Sequence, residues 1–145
     1  MSKYLTSYKK SDVFTKVSSI GDGDLKLTEF GIITLEKGGQ YPANSGANEV
    51  ALVVLGGTCT VKGKDFEFSG IGTRKNVFDG KPYTVYIPFG TDYTITGVTN
   101  VEIAWCASPS MLETAAYVIT PEQVKEAHIG KESYQRDAYL MLTDA

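Results

Sequence analysis

Val50-Ala51-Leu52-Val53-Val54-Leu55 is an unbroken apolar run, preceded by Glu49 and closed by Gly56-Gly57. It is short and rich in valine, so it reads as a central strand covered on both sides rather than a helix. The Gly56-Gly57 pair predicts a tight hairpin into the next strand. Outward from this run the same character continues. Strand-like segments are expected at 27–35, 49–55, 58–62, 65–68, 84–87, 93–96 and 101–107. Turn residues separate them: Gly38-Gly39, Lys62-Gly63-Lys64, Asp79-Gly80-Lys81-Pro82 and Pro88-Phe89-Gly90-Thr91. Many short strands with regular turns predict an all-β sandwich or barrel rather than alternating β and α units.

Only one helix is expected. Thr120-Pro121-Glu122-Gln123 offers an N-cap, a proline at the first helical position and a capping-box glutamine. The helix would run through Val124-Lys125-Glu126-Ala127 and stop before Gly130. The tail regains strand character at Tyr139-Leu140-Met141-Leu142.

The 145 residues fit one domain, 1–145, with an N-terminal extension over 1–24 and a C-terminal helix and tail over 120–145. A formal net charge of -3 excludes the clustered basic excess of a nucleic-acid footprint. No apolar run approaches the roughly 20 residues that span a bilayer. The start of the chain lacks the apolar stretch of a signal peptide, so a cytoplasmic location is the expectation. Cys59 and Cys106 then read as reduced, buried thiols.

Two spacings carry chemistry. Glu49 is followed by six residues and Gly56, and further on stands Pro88-Phe89-Gly90-Thr91-Asp92-Tyr93. In order and separation these resemble the two motifs of the cupin superfamily. That resemblance implies a double-stranded β-helix, or jelly-roll, barrel. Metal-binding cupins carry two histidines before the glutamate and a third histidine three residues after the glycine. Here the stretch before Glu49 holds no histidine, and Tyr93 stands at the third place. His128 is the one histidine of the chain and falls in the polar helix region. The expectation is no metal site in this chain, because a first-row ion needs three or four ligands.

A narrower resemblance covers about 31–136. Asn48-Glu49-Val50-Ala51-Leu52-Val53-Val54-Leu55-Gly56-Gly57 is one part of it. The others are Ile71-Gly72-Thr73-Arg74-Lys75-Asn76-Val77-Phe78-Asp79-Gly80 and Tyr83-Thr84-Val85-Tyr86-Ile87-Pro88-Phe89-Gly90-Thr91. Together they resemble the N-terminal half of the 5-deoxyglucuronate isomerase family of inositol breakdown. The resemblance implies an aldose–ketose isomerisation that gives 5-dehydro-2-deoxygluconate. It also implies a divalent metal held by a second half, which lies beyond this chain.

Four residues are candidates for a ligand pocket. Glu49 reads either as an inward-facing base or vestigial ligand, or as a strand-end glutamate. Arg74 reads either as a fork for a uronate carboxylate or as a structural group paired with Asp79 or Glu49. Tyr86 and Tyr93 read as pocket walls or as core, with Tyr93 the stronger pocket candidate. Trp105 reads as core, and His128 as a surface residue. No catalytic residue is assigned. The expected partners are a small sugar-acid ligand and further copies of the chain in a homodimer or higher homo-oligomer. Neither nucleic acid nor membrane is expected. The rival readings are a metal-free ligand-binding barrel and a structural half-domain that assembles through strand edges.

Overall fold

The computed structural model describes residue 5 and residues 7–143. Among these residues twelve strands form: β1 Phe14–Ser18, β2 Glu29–Leu35, β3 Gln40–Asn44, β4 Asn48–Gly56, β5 Cys59–Gly63, β6 Glu67–Ile71, β7 Thr84–Ile87, β8 Asp92–Gly97, β9 Val101–Pro109, β10 Tyr117–Ile119, β11 Lys125–Ile129 and β12 Arg136–Leu140. A six-stranded sheet has the order β1-β2-β9-β4-β7-β10, and a four-stranded sheet the order β3-β8-β5-β6. The two face each other as a jelly-roll sandwich of the cupin type, not joined edge to edge. A separate β11-β12 hairpin completes the described chain.

The core lies between the two large sheets. Ile33, Val50, Leu52, Val54, Val85, Ile87 and Ile103 enter it from the larger sheet, and Cys59, Val61, Tyr93 and Ile95 from the smaller. Fully burying each large aliphatic side chain stabilises by about 1.5–3 kcal/mol. The central apolar run becomes β4, hydrogen-bonded to β9 on one side and β7 on the other. Its period-2 pleat sends Val50, Leu52 and Val54 inward. Glu49, Ala51, Val53 and Leu55 point to the opposite face and are only half-buried.

The glycine pair after β4 does a different job from the one expected. β4 and β5 do not pair; they lie in different sheets, so Gly56-Gly57 is a crossing and not a hairpin. The crossing is a pinch. A Cβ on Gly57 would sit 2.1 Å from the Asn100 carbonyl oxygen, at a φ of +89°. The turn expected at Lys62-Gly63-Lys64 does form, as a hairpin that joins β5 to β6 with Val61 opposite Phe68.

Among the described residues three strands fall where neither strand nor helix was expected: β1, β3 and the short β10, which pairs with β7. β1 lies inside the stretch read as an extension and pairs with β2 at the sheet edge. β3 carries Pro42 at its centre, opposite Thr94 of β8. It is an edge strand, where the N–H that proline lacks would face outward, so the ladder tolerates it.

The expected C-terminal helix is also corrected. Thr120 N–H donates to Gln123 Oε1 at 2.9 Å as the capping box requires, but only a three-residue 3-10 turn, Pro121–Gln123, follows. Val124 then turns extended and buries its side chain. Residues 125–129 have no apolar stripe at helical spacing, so a helix there would gain nothing from packing. They pair instead with β12, from Lys125 opposite Leu140 to Ile129 opposite Arg136. No helix among the described residues is long and apolar enough to cross a membrane.

Candidate functional site

The four candidate residues fall in three places. Tyr93 points into the sandwich and is 3% exposed. Its hydroxyl accepts a 3.3 Å bond from the indole N–H of Trp105. Phe14 stacks on Tyr41 at 5.7 Å and meets Trp105 edge-on at 5.4 Å. Lys16 Nζ caps the Trp105 ring at 5.1 Å. Aromatic rings thus fill this end of the interior. Burial pushes the Tyr93 phenol and the Cys59 thiol each up to about 12, so both hold their protons near neutrality.

Glu49 is on the other side of the sheet. Tyr86, which alternates with inward Val85 and Ile87 on β7, donates its hydroxyl to Glu49 Oε2 at 2.8 Å. The Tyr86 ring stacks on Tyr117 at 4.9 Å. Burial, then the Glu49 hydrogen bond and charge, push the Tyr86 phenol up to about 12. Beside this pair is an apolar recess of about 170 Å³ lined by Thr28, Ala51, Cys106 and Leu142 among others. That is below the roughly 300–1,000 Å³ of typical ligand clefts. The C-terminal tail reaches this face, where Thr84 Oγ1 donates to Met141 Sδ at 3.1 Å. Glu49 and Tyr93 therefore do not share a cavity. Cys106 lies on this outer face and Cys59 in the core, both as free thiols.

Arg74 is a structural tie. Its Nε donates to the Val54 carbonyl and its Nη1 to the Gly80 carbonyl, each at 3.0 Å, and the residue is 7% exposed. Burial pulls its pKa down, and the Tyr139 phenol opposes this. Neither Asp79 nor Glu49 pairs with it in an ion pair among the described residues. Asp79 instead accepts the Lys75 N–H at 3.0 Å. The guanidinium fork is thus spent on backbone carbonyls of β4 and the 74–82 loop.

One further place has the chemistry of a polar ligand site and was read from sequence only as turns. A cleft of about 410 Å³ opens between the β5–β6 turn, the β7–β8 turn and residues 114–116. Lys64, Asp65, Phe66, Thr91 and Asp92 line it. Asn44 Nδ2 holds Asp92 Oδ1 at 2.7 Å. An ammonium, two carboxylates, a hydroxyl and an aromatic ring give it donors and acceptors for a small polar, hydroxylated ligand.

The interior does not suit a divalent metal. Its polar groups at the Tyr93 end are two phenols and an indole N–H, with the protonated Cys59 thiol elsewhere in the core. First-row ions want imidazole, thiolate or carboxylate in sets of three or four. The inward neighbour of Glu49 is Val50, which offers none.

The KduI/IolB family model matches residues 5–145. A 5-deoxy-glucuronate isomerase of Bacillus subtilis strain 168 is 32% identical over 125 residues, which are 86% of this chain and 46% of that protein. The protein of the same name from Bacillus velezensis is 30% identical over 151 residues, 100% of this chain and 56% of its own length. The chain spans about half the length of the curated relatives it matches. Among solved structures, an IolB-like protein from Salmonella typhimurium LT2 matches with a TM-score of 0.85 at 27% identity, over 92% of this chain and 51% of that one. A putative glyoxylate-induced protein from Pseudomonas aeruginosa matches at a TM-score of 0.59 and 14% identity, over 86% of this chain and 48% of that one, a likeness of fold.

Proposed function

From the premise that the chain belongs to the KduI/IolB family, we propose that it is the cupin unit of a sugar-uronate aldose–ketose isomerase whose sandwich interior holds no catalytic metal, corresponding to the N-terminal half. The unit supplies architecture and ligand contacts and does not turn over substrate by itself. The substrate class follows from relatives named 5-deoxy-glucuronate isomerase. The observation that carries the proposal is the donor-poor interior. Isomerisation moves a proton between adjacent carbons and needs a base plus a group that polarises the carbonyl. The inward phenol and thiol are held protonated near 12, so neither can serve as that base at neutral pH.

On this reading the sugar acid rests at the Lys64–Asp92 cleft, with the ammonium facing its carboxylate. The chain works in the cytoplasm as a homodimer or higher homo-oligomer. The test is an isomerase assay on 5-deoxyglucuronate with the untagged chain, with and without added divalent metal. No turnover in either condition is expected, together with turnover once a metal-bearing cupin half is added. Turnover by the chain alone would overturn the proposal. A second reading, a stand-alone ligand-binding barrel, is favoured by the same cleft. It predicts saturable binding of glucuronate that Lys64→Ala weakens, with no gain of activity from any added half.

A further inference from the structure

The hairpin that replaces the expected helix brings three metal donors together. In a helix, Glu126 and His128 would point away from each other, since residues two apart do not share a face. On β11 they are two apart in a strand and stand on one face. Directly across from His128, on β12, stands Asp137. Their side chains are in contact, His128 Nδ1 with Asp137 Oδ1. One donor atom from each of Glu126, His128 and Asp137 lies within 4.8 Å of the others.

The register that produces this convergence is pinned by the connection. Gly130 follows β11 with a φ of +94°, and a Cβ there would sit 2.1 Å from the Tyr134 carbonyl oxygen. A tight 3-10 turn, Glu132–Tyr134, then leads into β12. At the other end, Lys81 Nζ donates to the Val124 carbonyl at 3.0 Å and lies 3.8 Å from Glu126 Oε2. The base of the hairpin is thereby tied to the body of the protein.

We propose that Glu126, His128 and Asp137 form a divalent metal site of the zinc, cobalt or nickel class. One imidazole nitrogen and two carboxylate oxygens are three protein ligands of the kind zinc takes in open sites, where water completes the shell. The imidazole selects against magnesium and calcium, which prefer all-oxygen surroundings. The side chains are exposed, at 81% for His128, 61% for Asp137 and 38% for Glu126, so they can close on an ion by rotamer changes alone. The site is separate from the sandwich interior and does not depend on the proposed isomerase role. Its occupant would cross-link β11 to β12 and stiffen the hairpin that leads into the Met141 and Leu142 tail.

The test uses the untagged full chain, stripped with chelator and titrated with cobalt(II), with the visible d–d absorption and the amide spectrum as readouts. The expected result is saturation at one ion per chain, with shifts centred on residues 126, 128 and 137, and no such response to magnesium. His128→Ala should abolish it, and Asp137→Asn and Glu126→Gln should each weaken it. His128→Gln, closer in size, is the second variant if the alanine form folds poorly. Cys106→Ser should bind as the parent does. Absence of saturable binding, binding that survives loss of His128, or binding lost in Cys106→Ser would each overturn the proposal.

Discussion

The two faces of the six-stranded sheet differ by one residue of register and almost everything else. Facing in are Val50, Leu52, Val54, Val85, Ile87 and Ile103, each at most 1% exposed. Facing out are Glu49, Ala51, Val53, Tyr86 and Cys106, with a carboxylate bonded to a phenol and a small recess beside it. Those inward side chains are all aliphatic and fully packed in the core. Polar groups gather outside the sandwich at the Glu49–Tyr86 pair, the Lys64–Asp92 cleft and the β11–β12 hairpin.

The sharpest way to break that contrast is to move the charge by one residue. Val50→Glu would bury a carboxylate with no partner, and unfolding in denaturant should show a loss of about 4 kcal/mol or a failure to fold. Glu49→Val on the outer face should cost about 1 kcal/mol or less, the penalty of leaving the Tyr86 hydroxyl unpaired. Equal costs would mean that the two faces are not distinct. A truncation pair repeats the comparison without charge. Leu52→Ala should destabilise by about 3 kcal/mol through its cavity, and Val53→Ala by about 1 kcal/mol.

Smaller effects test the outer face itself. Tyr86→Phe should cost about 0.5–1 kcal/mol in the mid-pH range, by loss of one hydrogen bond. The Tyr86 phenol ionises near 12 in the fold, against an ordinary 10.0. A group raised on folding contributes stability that is fully present below its unfolded value. Stability should therefore hold up to about pH 10 and fall as pH climbs from there toward 12. The Phe variant should lose less over that window, as read by thermal melts. The smallest effect is at the hairpin. The hydrogen bond and charge of Asp137 hold the His128 pKa above the ordinary imidazole value. Asp137→Asn should bring it down in a proton NMR titration. The accompanying stabilisation is present at low pH and fades as pH rises through the raised value.

Much of the fold is legible in the residues. The strand at 84–87 coincides with β7, and those at 49–55 and 101–107 extend only slightly into β4 and β9. Their valines, isoleucines and flanking turn residues leave little choice. The family resemblance is likewise upheld by the match over residues 5–145. What escapes is what depends on partners distant in sequence. Pro42 argues against a strand until β3 is seen to lie at an edge. The capping box at Thr120 is genuine, yet it says nothing of β12, whose pairing captures the following residues. The orientation of Glu49 escapes for a subtler reason. Residues 50–55 are all apolar, so no alternation marks which of them face in. Only the packing of Val50, Leu52 and Val54 against Val61 and Ile95 of the opposite sheet decides it. The Lys64–Asp92 cleft needs three separate turns to meet, and a single stretch of sequence carries no sign of that.

The pleat of β4 has a consequence in the terms of mutation and descent. Position 50 faces the interior and holds valine, every codon of which reaches an acidic residue, aspartate or glutamate, by one nucleotide. Position 93 faces the same interior from β8 and holds tyrosine, whose codons reach histidine by one nucleotide. Two inward ligands are thus two point mutations away, with every strand already in place. What separates the filled interior from one that carries metal donors is not distance in sequence but the instability of the intermediate, in which a lone buried carboxylate waits for company. A lineage would cross that gap more readily with an ion at hand, or with stability to spare.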